Sequence, residues 1–213
     1  MSARLSPTTS ACTIFCIECA SPINTPPTVA FSKNRRSSLI SGRSPMNKAR
    51  PVEKTLWKAP KRGTVKINFD GSFQVSPVVG GFGAVAREND GQVLGAMAGP
   101  LLGVGDSFEA EALAAVKAME WSRDMGFKDI VIEGDALTII QKVNSLALDF
   151  SPIGPYIADL KLLCSFFNTC NFSHVKRDGN AVANCLAKFG SSLSADMFLD
   201  GGSSACGDGC SIN

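Results

Sequence analysis

The sequence predicts an α/β domain in which a mixed five-stranded sheet carries helices packed on it. Three apolar segments with strand character, at residues 64–70, 80–87 and 92–98, follow one another across turn signals, as in an antiparallel meander. Beyond them helical and strand-like segments alternate. A strand reached through a helix then lies parallel to the first, which makes the sheet mixed.

In the first strand, TVKINFD at 64–70, Val65, Ile67 and Phe69 alternate with Lys66, Asn68 and Asp70. It ends on an acid, and Gly71 is expected to turn the chain sharply straight afterwards. Residues 57–63, WKAPKRG, read as an extended lead-in. The segments GGFGAVAR (80–87) and QVLGAMA (92–98) flank Glu88-Asn89-Asp90-Gly91, a hairpin signal. Gly80, Gly81 and Gly83 thin the strand around Phe82, where another backbone or a ligand can approach. Asp106, with Glu109 three residues on, fits a capping box that opens the longest helix, with Ser107 as the alternative cap. Its core-facing stripe is Ala112, Leu113, Val116 and Met119, and Gly126 stops it. The short apolar strand DIVIEG (129–134) leads to Asp135 and to a helix marked by Leu137, Ile140 and Val143. A helix within 152–167, a strand at 170–175 and a helix at 180–189 complete the pattern.

The patterned domain therefore spans 57–190. Residues 1–56 are rich in Ser, Thr and Pro and carry almost only positive charge, so they read as a disordered leader or linker, or alternatively as an organelle transit peptide. Residues 191–213 read as a disordered Gly/Ser/Cys tail. Of the eight cysteines, Cys12, Cys16 and Cys19 have a C-x3-C-x2-C spacing known from iron–sulfur enzymes, but no barrel-length α/β region follows them. Cys206 and Cys210 fall in the tail. Cysteine usage and the lack of an opening secretory signal point to an intracellular protein, nuclear or organellar if the leader is a transit peptide. A net charge of +2 is too small for a strongly basic nucleic-acid binder, so any such contact rests on a local patch. No apolar run is long enough for a bilayer, and the chain is expected to act as a monomer away from membranes.

Asp70 closes the first strand and Asp135 follows the strand parallel to it, so both fall in the crevice at neighbouring strand ends. Glu111, one turn into the long helix, leans over the same edge. Glu109 is its rival, but capping accounts for Glu109. Three carboxylates without a basic partner repel one another unless a divalent cation sits between them, and all-oxygen ligation suits Mg²⁺ or Mn²⁺.

The segments FDGS, GGFGAVAR, AEALAAVKAMEW and IVIEGDA together resemble a type 1 ribonuclease H domain. The Trp57-x-x-Pro60 lead-in and the late NAVANCLAK helix resemble the plant group related to the ends of non-LTR retrotransposon polyproteins. The resemblance covers about 57–190. It implies a two-ion site in which Asp70 bridges the ions and Glu111 and Asp135 complete the set, and it implies cleavage of the RNA strand of RNA–DNA hybrids.

Two departures stand out. The family's fourth carboxylate opens the last helix, where this chain has Asn184, so one negative charge is gone; Asp178 in the preceding loop is a substitute to consider. His174, the only histidine, falls inside a strand and not in the loop where many relatives carry one. For the hybrid, Lys176, Arg177 and Lys188 are phosphate contacts to consider, as are Lys58, Lys61 and Arg62, while Asn68 and Ser72 are placed to touch an RNA 2′-OH. Asn184 also motivates a second reading, a domesticated domain that binds nucleic acid without cutting it. A third is a protein-interaction remnant whose acids are merely solvated.

Overall fold

The computed structural model describes residues 56–201. The expectations for the leader, Cys12, Cys16, Cys19, Cys206 and Cys210 lie outside that range.

Strands β1 (Val65–Val75), β2 (Val78–Arg87) and β3 (Val93–Leu101) form the meander. Helix α1 (Ser107–Asp124) leads to β4 (Asp129–Gly134), which pairs parallel to β1 with Asn68 opposite Glu133. Helices α2 (Leu137–Asn144) and α3 (Gly154–Leu163) precede β5 (Thr169–His174), parallel to β4. A 3₁₀ turn, Arg177–Asn180, enters α4 (Ala181–Gly190). A short β6 (Met197–Asp200) closes the order β5-β4-β1-β2-β3-β6. The sheet thus has six strands rather than five. The sixth was hidden in the stretch read as a tail, because four residues on a sheet edge carry no periodicity and find their partner, Gly95–Ala98 of β3, only in three dimensions.

The main core lies between the sheet and α1–α3, built on Ile67, Phe69, Ala84, Met97, Ile130 and Ile132 with Met119, Ile139 and Leu160. Helix α4 covers the other face through a smaller cluster of Val85, Ala96, Ala98 and Leu186. The start of α1 follows its sequence: the Asp106 side chain accepts from the Glu109 N–H at 2.8 Å, and the Glu109 carboxylate accepts from the Gly105 N–H at 2.7 Å. Its end is a Schellman closure, with Gly126 at φ 78° and bonds from Gly126 N to Arg123 O and Phe127 N to Ser122 O.

The turn expected at Gly71 is not there. β1 runs on to Val75, and Gly71 serves a different need of the backbone. A Cβ at Gly71 would sit 2.5 Å from the carbonyl carbon and oxygen of Ala110. With Ala110, Ala114 and Ala118 buried on α1, that bare strand lets the helix come down almost onto β1. Gly81 and Gly83 do the same for α4, whose backbone at Ala187 would collide with a side chain at either position. The thinning read around Phe82 is therefore helix packing.

Candidate metal centre

Close helix packing brings the acids together. Asp70, central in the sheet and buried, reaches Glu111 from the first turns of α1 and Asp135 from the end of β4. One oxygen of each lies within 4.8 Å of the others. Glu111 is held in place by the Gly71 N–H, which donates to its Oε2 at 3.2 Å, so the same glycine admits the helix and fixes its carboxylate.

Burial, followed by the charges of Glu111 and Asp135, pushes the Asp70 carboxyl up to about 8. Burial and then Asp135 push Glu111 up to about 7, against the lowering influence of the Gly71 N–H and Arg177. Such a cluster resists full ionisation unless a cation is shared among the three acids. Hard oxygen ligands on three rigid elements fit a small divalent ion.

The structure places the remaining expected residues unevenly. Asn184 is buried beside Asp70, its Nδ2 donating to Asp70 Oδ2 at 3.0 Å, so it presents an amide donor to the acid. Asp178 is exposed on the 3₁₀ turn and is not a member of the acidic cluster. Glu109 accepts from the Tyr156 hydroxyl at 3.0 Å and caps α1, away from the cluster. Lys176, Arg177 and Lys188 are exposed, and Arg177 lies near enough to act on Glu111. Lys58, Lys61 and Arg62 are exposed on the lead-in. Ser72 is half-buried, with its hydroxyl 2.8 Å from Ala187 O. His174 is the exposed last residue of β5, on a sheet edge.

Asn68 does not face a ligand. It is buried, its Oδ1 accepts from the Trp57 Nε1–H at 3.0 Å, and its Nδ2 donates to Glu133 and Asn180 at 3.2 Å each. Its place on the polar face of β1 was readable from alternation, but the Trp57 lead-in and the 3₁₀ turn cover that face.

Asn180 was missed as a site residue. It is buried, and its Nδ2 donates to Phe69 O at 2.8 Å and approaches Asp70 Oδ1 at 3.5 Å. An Asn opening a helix reads as a cap, yet this side chain makes no cap bond to α4. Nothing local signals that it turns to the sheet instead.

Residues 68–190, more than half of the chain, match the family described as reverse transcriptase-like. The chain belongs to that family. It is also 30% identical over 142 residues to "Ribonuclease HI" of Halobacterium salinarum, spanning 64% of this chain and 69% of that one. The crystal structure of RNase H1 from the same archaeon superposes with a TM-score of 0.56 at 25% identity, over 60% of this chain and 96% of that one. An RNase H domain from Mycobacterium tuberculosis shares the fold at 22% identity and a TM-score of 0.55, over 60% of this chain and 93% of its own. LC11-RNase H1, solved in complex with an RNA/DNA hybrid, shares it at 20% and 0.54, over 60% and 96%. This is therefore a ribonuclease H-like domain.

Proposed function

We propose that this ribonuclease H-like domain is a divalent-metal-dependent endonuclease that hydrolyses the RNA strand of RNA–DNA hybrids. The observation that carries the reading is the convergence of Asp70, Glu111 and Asp135, from three elements, within 4.8 Å. Kinship with ribonuclease HI supports it, and the family match over residues 68–190 spans all three acids.

Asp70, Glu111 and Asp135 would hold Mg²⁺ or Mn²⁺, as a pair of ions. Bound there, such ions supply Lewis acidity for activating water and for stabilising the departing 3′ oxygen of a phosphodiester. The protein's own contribution is placement. Asp70 is fixed in the sheet centre, where it would be a ligand, the Gly71 N–H orients Glu111, and Asp135 closes the lip at the end of β4. Exposed Lys176 and Arg177 flank that lip, and Lys188 extends the positive charge along α4, where phosphates of a hybrid would lie. Ser72 keeps lone pairs free to accept from a ribose 2′-OH, the group that separates RNA from DNA. Asn184 costs the site one negative charge, which weakens the hold on one ion and slows turnover. The lead-in Trp57-x-x-Pro60 and the helix NAVANCLAK support descent from a retrotransposon polyprotein of the plant type.

The test is cleavage of a hybrid labelled on its RNA strand. The wild type is expected to cut in Mg²⁺ or Mn²⁺, to stop in EDTA, and to lose activity as Asp70→Asn. An Asp70→Asn protein that cuts as well as the wild type overturns the reading.

Asn184 favours a second reading, a domain that holds hybrids without cutting them. Hybrid binding with no cleavage in either ion, together with cleavage gained by Asn184→Asp, selects it.

A further inference from the structure

We infer that Trp57, Asn68 and Asn180 form a directional hydrogen-bond relay that positions the Asp70 carboxylate for cation binding, making Trp57 and Asn180 positioning residues of the centre. This rests on the metal reading of the acids and adds residues from a lead-in some 13 positions before Asp70.

The direction follows from donor and acceptor chemistry. An indole N–H only donates, so the atom of Asn68 facing Trp57 Nε1 at 3.0 Å is its oxygen. The Asn68 amide nitrogen must then point the other way, where Glu133 Oε2 and Asn180 Oδ1 both accept at 3.2 Å. Turning Asn68 over would set donor against donor at Trp57 and oxygen against carboxylate at Glu133. Because Asn180 receives on its oxygen, its nitrogen is left to donate to Phe69 O at 2.8 Å and to face Asp70 Oδ1 at 3.5 Å. Asn184 donates to the other oxygen, Asp70 Oδ2, at 3.0 Å. Asn184 thus holds one oxygen of Asp70, while Asn180, anchored on Phe69 O, sets its amide nitrogen against the other oxygen and limits the rotation of the carboxylate beside Glu111 and Asp135.

The far end is fastened as well. Lys66 Nζ, buried, pairs with Glu133 Oε1 at 2.5 Å, donates to the carbonyl of Lys58 at 2.7 Å, and lies 5.7 Å from the Trp57 ring centre. Arg87 stacks on the same ring at 5.4 Å. The Glu133 acceptor is therefore charge-balanced, and the ring of the tryptophan that starts the relay lies against two cations. No buried side-chain polar atom among the described residues lacks a partner, and each amide of the relay is bonded through both its oxygen and its nitrogen.

The test uses the full chain with Trp57→Phe, Asn180→Ser and the double variant. Trp57→Phe keeps an aromatic ring against Lys66 and Arg87 and removes the indole donor. Mg²⁺ affinity by calorimetry is expected to fall about tenfold in Asn180→Ser and by about threefold in Trp57→Phe, with kcat on the hybrid falling alongside and KM unchanged. The double variant is expected to be no worse than Asn180→Ser alone, since both sit on one relay. Wild-type Mg²⁺ affinity in both single variants, or losses that add in the double variant, overturns the relay while leaving the nuclease reading intact. A wild type that binds no Mg²⁺ overturns both. If Asn180→Ser fails to fold by circular dichroism, Trp57→Phe alone decides: an unchanged Mg²⁺ affinity and kcat sink the relay.

Discussion

Replacing Asp70 by asparagine should stabilise the metal-free protein, and the size of the gain follows from the geometry. Two unit charges at the 4.8 Å limit of the cluster repel by about 3.5 kcal/mol at an effective dielectric constant of about 20. With burial as the larger cause and this repulsion included, a carboxyl whose ordinary value is 3.8 and whose folded value is about 8 has had its ionised form disfavoured by about 6 kcal/mol. In the folded state Asp70 holds its proton to higher pH than in the unfolded chain. Stability is therefore full below about pH 4 and is lost as pH rises through about 8, with Glu111 adding to the same fall up to about 7. Asparagine keeps the shape and removes the charge, at the cost of weaker acceptance from Asn184. In EDTA at pH 8.5 a net gain of about 2–4 kcal/mol is expected, or roughly 5–12 °C in Tm, shrinking to nearly nothing at pH 4. Mg²⁺ should reverse the order: the wild type gains about 2.7 kcal/mol when the ion is present at about a hundred times its Kd, and Asp70→Asn gains little. Thermal unfolding at the two pH values, with and without Mg²⁺, reads all of this. An Asp70→Asn protein no more stable than the wild type at high pH in EDTA, or an equal Mg²⁺ response in both, would refute the reasoning.

Further outcomes follow from the same contacts. Asn184→Asp adds a fourth charge, so Mg²⁺ affinity by calorimetry should rise about tenfold while the metal-free protein loses about 1–3 kcal/mol at pH 8. Gly71→Ala places a methyl group 2.5 Å from the Ala110 backbone and should cost about 2–4 kcal/mol in urea unfolding; a loss below about 0.5 kcal/mol would show that α1 can lift off β1. Asp106→Ala removes the α1 cap and should cost about 1 kcal/mol in the same assay without touching Mg²⁺ affinity.

Much of this molecule was legible because its chemistry sits on regular elements. Alternation in 64–70 put Asp70 on the polar side of a core strand, and parallel pairing put Asp135 at the neighbouring strand end, so two of the three acids followed from topology. Capping separates Glu109 from Glu111 in the sequence, and Gly105 and Tyr156 are where the Glu109 carboxylate is engaged. What stayed hidden depends on contacts remote in sequence. Gly71 looks the same whether it makes a turn or admits a helix, and only the Ala110 backbone decides. Asn68 looked like a ligand contact until Trp57 and Asn180 were seen to occupy both ends of its amide. Asn180 carries the signature of a cap and spends its side chain on β1 instead.

The most direct test of the metal centre is an anomalous difference map from crystals soaked in Mn²⁺. Peaks about 2.1 Å from carboxylate oxygens of Asp70, Glu111 and Asp135 are expected, with Asp70 shared between them. A map in which manganese avoids those three side chains, or sits elsewhere on the molecule, would contradict it.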